Sequence, residues 1–173
     1  SGKRRTALAL AKALNCEKRD GGFCGECGPC RAIDRDFGPA VRPGPVSEVP
    51  SRKPGTIEGR FPDVVMIEPE KGNISIGWIR FIKEKAYLKP MVGRKRVFII
   101  DHAEMMNEHA SNALLKIYEE PPADSCFILT TPDPSLLLPT IVSRCQSFSF
   151  VRPARAEVEA ALRGAGYGEE EAA

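Results

Sequence analysis

The sequence predicts an α/β fold in which a parallel β-sheet lies between helices. Two observations carry this prediction. Three short apolar runs, "DVVMIEP", "RVFIID" and "CFILTT", are rich in β-branched and aliphatic residues and lack polar alternation, the pattern of strands buried on both faces. Helical periodicity separates them, and such strand–helix alternation favours a parallel sheet whose ligands gather at the carboxyl ends of the strands.

Residues 6–14 read as a helix, because Ala, Leu and Lys are strong helix formers and Leu10 and Leu14 share a face. A cysteine-rich module follows at 16–30. Residues 37–62 hold so many prolines and glycines that neither a helix nor a central strand can persist, so this stretch is expected as a mobile excursion. After the first apolar run, Ser75 is placed to cap a helix that turns Ile76, Ile79, Ile82 and Ala86 inward. After the second, Asn107 caps a helix burying Ala110, Ala113, Leu114 and Ile117, which Pro121 and Pro122 terminate. "SFSF" reads as one further strand, and residues 152–173 begin as helix before turning into glycine and glutamate.

With 173 residues and 42% hydrophobic content, the chain can bury one sizeable core, giving one main domain over 1–151 and the start of a second over 152–173. No apolar run reaches the roughly 20 residues that span a bilayer, and no signal-peptide pattern opens the chain, so the cytosol is the expected compartment. A net charge of +2 is too small to diagnose nucleic-acid binding, although Lys3 to Arg5 and the "GRKR" at Gly93 to Arg96 are locally basic. The start without methionine, inside a nucleotide-type motif, leads to the expectation that the protein extends upstream.

Four of the six cysteines, Cys16, Cys24, Cys27 and Cys30, crowd into "CEKRDGGFCGECGPC", the last three at two-residue intervals. A C-x-x-C knuckle beside glycine turns tightly enough to offer two thiolates to one ion, and four soft ligands suit a closed, structural Zn2+ site. Gly22, Gly25 and Gly28 lie where the turns are expected. An iron–sulfur cluster or a redox dithiol are the competing readings; the Cys-Pro that a ferredoxin-like run would place soon after Cys30 is replaced by "RAIDRD".

The first residues, "SGKRR", end like a phosphate-binding loop, with Gly2 and Lys3 feeding a helix, but Arg4 stands where that motif needs a magnesium-binding Ser or Thr. Lys3 can be a phosphate-binding lysine at a helix amino terminus or an ordinary exposed one. Asp101, at the end of "VFIID", matches a strand-end carboxylate that holds magnesium, or else a turn cap. Thr131, at the end of "CFILTT", is grouped with the same degenerate nucleotide site. His102 follows Asp101 where hydrolysing enzymes carry a water-activating acid, and it cannot supply the lost carboxylate charge. Two parts of the hydrolytic machinery are thus replaced, while Lys3 and Asp101 survive and leave residual binding of ATP and magnesium open.

The order "GK" before a helix, "LNC" into four cysteines, "PDVVMIEP", "VFIIDHAEMM", "NALLKIYEEPP" and "FILTTPDPSLLLPTIVSRCQ" resembles the bacterial DNA polymerase III clamp-loader subunits, which are AAA+ proteins. The resemblance runs from Gly2 to about Val151 and excludes the proline-rich insertion. It implies a P-loop NTPase AAA+ three-layer fold carrying an inserted four-cysteine zinc module. Arg4 and His102 resemble the delta prime branch, which tends to lose the hydroxyl and acid that gamma or tau keeps; a gamma/tau-like subunit with an active ATPase is the alternative. A stand-alone P-loop kinase with a zinc lid gives "SRC" and "EEPP" no role. The resemblance further implies a hetero-pentamer with gamma/tau and delta subunits, which places a sliding clamp on primer-template DNA, and it maps the family's trans-acting arginine finger onto Arg144, between Ser143 and Cys145.

Overall fold

The computed structural model describes residues 2–18, 21–37, 56–58, 61–151, 154 and 157–158. Helix α1 (Lys3–Asn15) opens the chain and α2 (Gly28–Phe37) packs beside it. Strand β1 (Thr56–Glu58) precedes β2 (Val64–Ile67), and α3 (Ile76–Ala86) crosses to β3 (Arg96–Ile100). Helix α4 (Glu108–Glu119) crosses in turn to β4 (Ser125–Leu129), and the short α5 (Pro139–Val142) follows.

The sheet order is β1-β2-β3-β4. Strands β2, β3 and β4 are parallel, with Val65 opposite Phe98 and Phe98 opposite Phe127. Each pair is joined by a helix, as parallel pairing requires. Alternating side chains divide between two cores. Val64, Met66, Val97 and Ile99 meet Ala7, Leu8, Ala11, Ile33 and Phe37 of α1 and α2. On the other face, Val65, Ile67, Phe98 and Ile100 meet Trp78, Ile79 and Ile82 of α3, Leu114 and Ile117 of α4, and Ile141 of α5. This is a helix–sheet–helix sandwich, as the sequence predicts.

Several expectations need correction. The sheet is not wholly parallel: β1, within the stretch expected to be an excursion, pairs antiparallel with β2. An edge strand needs only one hydrogen-bonded neighbour, so a segment unfit for the sheet centre can still serve there. The rest of the proline-rich stretch, 38–55 and 59–60, lies outside the described residues. "SFSF" forms no strand; Phe148 and Phe150 are exposed, and no described strand lies beside them to complete a ladder. For the same reason β4 is half-buried throughout where β2 and β3 are buried. In α1 the buried stripe is Ala7, Leu8 and Ala11, with Leu10 exposed. Ser75 occupies the N-cap position of α3 but makes no side-chain cap; the Trp78 N–H donates to its carbonyl oxygen at 3.1 Å. Asn107 does cap α4, accepting from the Ala110 N–H at 2.8 Å. In α3 and α4, Ile76 and Ala113 are half-buried rather than buried. Apart from Ala154, Glu157 and Val158, the expected second domain over 152–173 lies outside the described residues.

Candidate functional site

The carboxyl ends of β2, β3 and β4 carry Glu68, Asp101 and Thr130, and the first turn of α1 faces them. Asp101 is fixed by its backbone, whose N–H donates to the Ile67 carbonyl at 2.9 Å. Its Oδ1 accepts a hydrogen bond from the Thr130 hydroxyl. Its Oδ2 lies 3.7 Å from the Arg4 guanidinium, which also forms a close ion pair with Glu68. Asp101 is buried and Arg4 is exposed, so a cation from the helix seals a carboxylate pair at the sheet rim.

Gly2 is the N-cap of α1, with ordinary right-handed backbone, and accepts from the Thr6 N–H at 2.9 Å. Lys3 lies in the first helical turn, half-buried and without an ion-pair partner among the described residues. His102 takes a left-handed backbone, φ 54°, that few non-glycine residues adopt. Its N–H donates to Thr130 Oγ1 at 3.3 Å, and its Nδ1 lies 3.0 Å from Glu104 Oε1. Thr131 stands one residue beyond the contact: its hydroxyl donates to the Asp133 carbonyl at 2.9 Å. Sequence reasoning therefore missed Thr130 and Glu68. "LTT" held a hint of the former, since two threonines end that strand, whereas Glu68 is an unremarkable acid until the fold brings it to Arg4.

The cysteine module sits at the opposite end of α1. Cys16 is the C-cap of that helix, Cys24 and Cys27 form the knuckle, and Cys30 lies in the first turn of α2. All four sulfurs lie within 4.8 Å of one another. A tetrahedral ion with metal–sulfur bonds of about 2.3 Å spaces its ligands about 3.8 Å apart, so the group is close enough together to hold a metal. Cys16 Sγ accepts from the Cys24 N–H at 3.3 Å, and Cys24 Sγ accepts from Glu26 and Cys27 at 3.4 and 3.3 Å. These backbone donors lower the Cys24 thiol to about 6, while burial, aided by Cys27, pushes Cys30 up to about 12. Gly25 adopts φ +75° at the knuckle as expected; Gly21 rather than Gly22 takes the other left-handed turn, and Gly28 opens α2.

The SRC segment follows α5. Ser143 and Arg144 both bond the Thr140 carbonyl, at 3.1 and 3.2 Å, and Arg144 is exposed with no carboxylate in ion-pair range among the described residues. Cys145 turns inward against the core beside Tyr118, and burial pushes both of their pKa values up. One residue is thus anchored and its neighbour is presented to solvent.

A three-layer α/β core has a helix start facing a strand-end carboxylate and a four-cysteine cluster after that helix, the arrangement expected of the family resembled above. Residues 52–154 match the family model described as DNA polymerase III, delta subunit. Over 153 residues the chain is 35% identical to the DNA polymerase III subunit tau of Bacillus subtilis, covering 88% of this chain and 23% of that protein. Over 150 residues it is 31% identical to the subunit delta' of the same organism, covering 87% of this chain and 39% of the relative. A crystal structure of a DNA polymerase III gamma subunit-related protein from Thermotoga maritima superposes with a TM-score of 0.52 at 37% identity, over 57% of this chain and 34% of that one. The chain belongs to this DNA polymerase III family of clamp-loader subunits, and it spans well under half the length of these curated relatives. No helix among the described residues is long and apolar enough to cross a membrane.

Proposed function

We infer that this chain is the AAA+ part of a delta prime-type clamp-loader subunit, one that lends shape and an arginine to its neighbours without hydrolysing ATP itself. The observation that carries the reading is Arg4, whose guanidinium lies against Asp101 and Glu68 where a metal-binding hydroxyl would be expected. Relatives of both delta' and tau type match this chain, so the choice between them rests on that site rather than on overall likeness. Loss of transition-state charge stabilisation typically costs about a hundredfold or more per group, and here both the hydroxyl and the following acid are replaced.

Arg144 supports the other half of the reading. It is exposed on a turn that Cys145 anchors, as a finger offered to an adjacent subunit would need to be, and its planar, permanently charged fork suits phosphate oxygens. Cys16, Cys24, Cys27 and Cys30 would hold one structural Zn2+, the close cluster being the support. The partners are then gamma/tau and delta subunits in a hetero-pentamer, with the sliding clamp and primer-template DNA met through the complex.

The test uses full-length protein in a complex reconstituted with active ATPase subunits. Arg144→Ala should leave circular dichroism and metal content unchanged while reducing hydrolysis at the neighbouring site by about a thousandfold, the scale of an arginine finger supplied in trans. Clamp loading and ATP turnover at the wild-type rate would reject Arg144 as the finger; robust turnover by the isolated wild-type subunit would reject the inactive-ATPase reading.

A further inference from the structure

A magnesium ion at the strand ends of a P-loop fold needs oxygen ligands at about 2.0–2.1 Å in near-octahedral order. The residues here do not fit one. Of the two Asp101 oxygens, Oδ1 accepts the Thr130 hydroxyl and Oδ2 faces Arg4. Glu68 is paired with the same guanidinium. The hydroxyl that would complete a magnesium shell is absent because Arg4 itself occupies its position in the chain.

We propose that Arg4 is a built-in cation that takes the place of the divalent ion between Asp101 and Glu68, so that this site excludes magnesium. The claim rests on reading this end of the sheet as a degenerate nucleotide site. Two carboxylates from neighbouring strand ends repel each other unless a positive charge lies between them. A guanidinium suits that role because its charge is permanent, and one Arg4 nitrogen, Nη1, faces both Glu68 Oε1 and Asp101 Oδ2. The arrangement differs from an ordinary surface pair in the burial of one partner: the Asp101 side chain is 12% exposed, against 43% for Arg4. Burial of a carboxylate beside a second acid is offset by a nearby cation, and the chain supplies one from its own helix. The site is consequently complete without any ion from solution.

Mn2+ is the probe, its free fraction read by electron paramagnetic resonance, with the chain saturated with zinc beforehand so that the cysteines do not contribute. Wild-type chain should take up no Mn2+ at about millimolar concentration. Arg4→Thr removes the competing charge and adds a hydroxyl, and should bind one Mn2+ at least about tenfold more tightly than wild type, given the size of a unit-charge interaction at a partly exposed site. Adding Asp101→Asn to Arg4→Thr should abolish that uptake, and Mg2+ should raise the melting temperature of Arg4→Thr but not of wild type. If Arg4→Thr fails to fold, Arg4→Gln, which keeps much of the side-chain stem, is read in the same way. Wild-type uptake that Asp101→Asn removes would overturn the proposal, as would a folded Arg4 variant that binds no Mn2+. Neither result touches the Arg144 experiment, so failure of the counter-ion and failure of the clamp-loader reading are told apart.

Discussion

Asp63 offers the sharpest test of how the fold is held, because its carboxylate is fully buried and accepts three consecutive backbone N–H groups. Met91 donates to Oδ1, and Val92 and Gly93 donate to Oδ2, each at 2.7 Å; Arg96, itself buried, lies 3.7 Å from Oδ1. Asp63→Ala would strand these donors and leave a buried guanidinium without its counter-charge. A hydrogen bond to a charged group contributes about 1.5–3 kcal/mol, and removing one partner of a buried pair costs about 3–5 kcal/mol. The terms are not additive. Met91 and Val92 are exposed, so water can reach part of the loop, and the Lys89 carbonyl still accepts from Arg96 at 3.1–3.2 Å. We therefore expect a loss of about 3–5 kcal/mol, a large share of the roughly 5–15 kcal/mol that a folded domain has. Urea denaturation is the assay. Asp63→Asn should be nearly as costly, since its amide nitrogen would oppose N–H groups. A loss below about 1 kcal/mol for either variant would refute the claim that Asp63 anchors this loop.

Gly93→Ala should destabilise the chain by about 1–3 kcal/mol, since a Cβ there would collide with Asn15 Oδ1, which cannot step aside while it accepts from the Arg94 and Lys95 N–H groups. Combining it with Asn15→Ala should cost less than the two single changes together, and strict additivity in thermal melts would disprove the clash. The zinc reading predicts about one Zn2+ per chain by metal analysis, lost in Cys27→Ser; a metal-free wild type that folds normally would end it. A thiol reagent should then find only Cys126 and Cys145 in the loaded chain and all six cysteines after chelation. Because burial raises the pKa of these two thiols, their thiolate is scarce near neutral pH, so labelling should be slow there and accelerate as pH rises.

What the sequence discloses depends on how far apart the cooperating residues lie. The cysteine cluster was legible because knuckle spacing and adjacent glycines are local requirements, and the structure brings all four sulfurs together. Strands β2 and β3 were legible because burial on both faces writes a continuous apolar run. Asp101 was placed correctly at a strand end, but Thr130 and Thr131 are adjacent, and only sheet register decides which hydroxyl meets it. The Arg4–Glu68 pair and the Asp63 anchor join residues from separate elements, and nothing in the composition marks either acid. "SFSF" has strand-like alternation without a strand partner among the described residues, while 56–58 lies in a proline-rich stretch yet pairs with β2. In both cases pairing overrode local character.

The two specialised regions of the chain occupy opposite ends of one helix. Thirteen residues of α1, at about 1.5 Å each, separate the strand-end carboxylates from the cysteine module by about 20 Å. Arg4 sits in the first turn; Asn15 and Cys16 end the helix and tie it to the loop before β3, where Arg94 donates to the Cys16 carbonyl at 2.7 Å and its N–H to Asn15 at 2.8 Å. The module is therefore joined to the sheet through backbone and side-chain hydrogen bonds that do not need a metal, and an ion bound by the cysteines would hold Cys24 and Cys27 against the helices that carry Cys16 and Cys30. At the other end, an arginine supplied by the same helix makes the carboxylate site self-sufficient. A helix tied at both ends in this way links the sheet rim to the cysteine module. Such a link suits a subunit whose contribution to a shared machine is a rigid surface and a well-placed Arg144 rather than a cycle of its own.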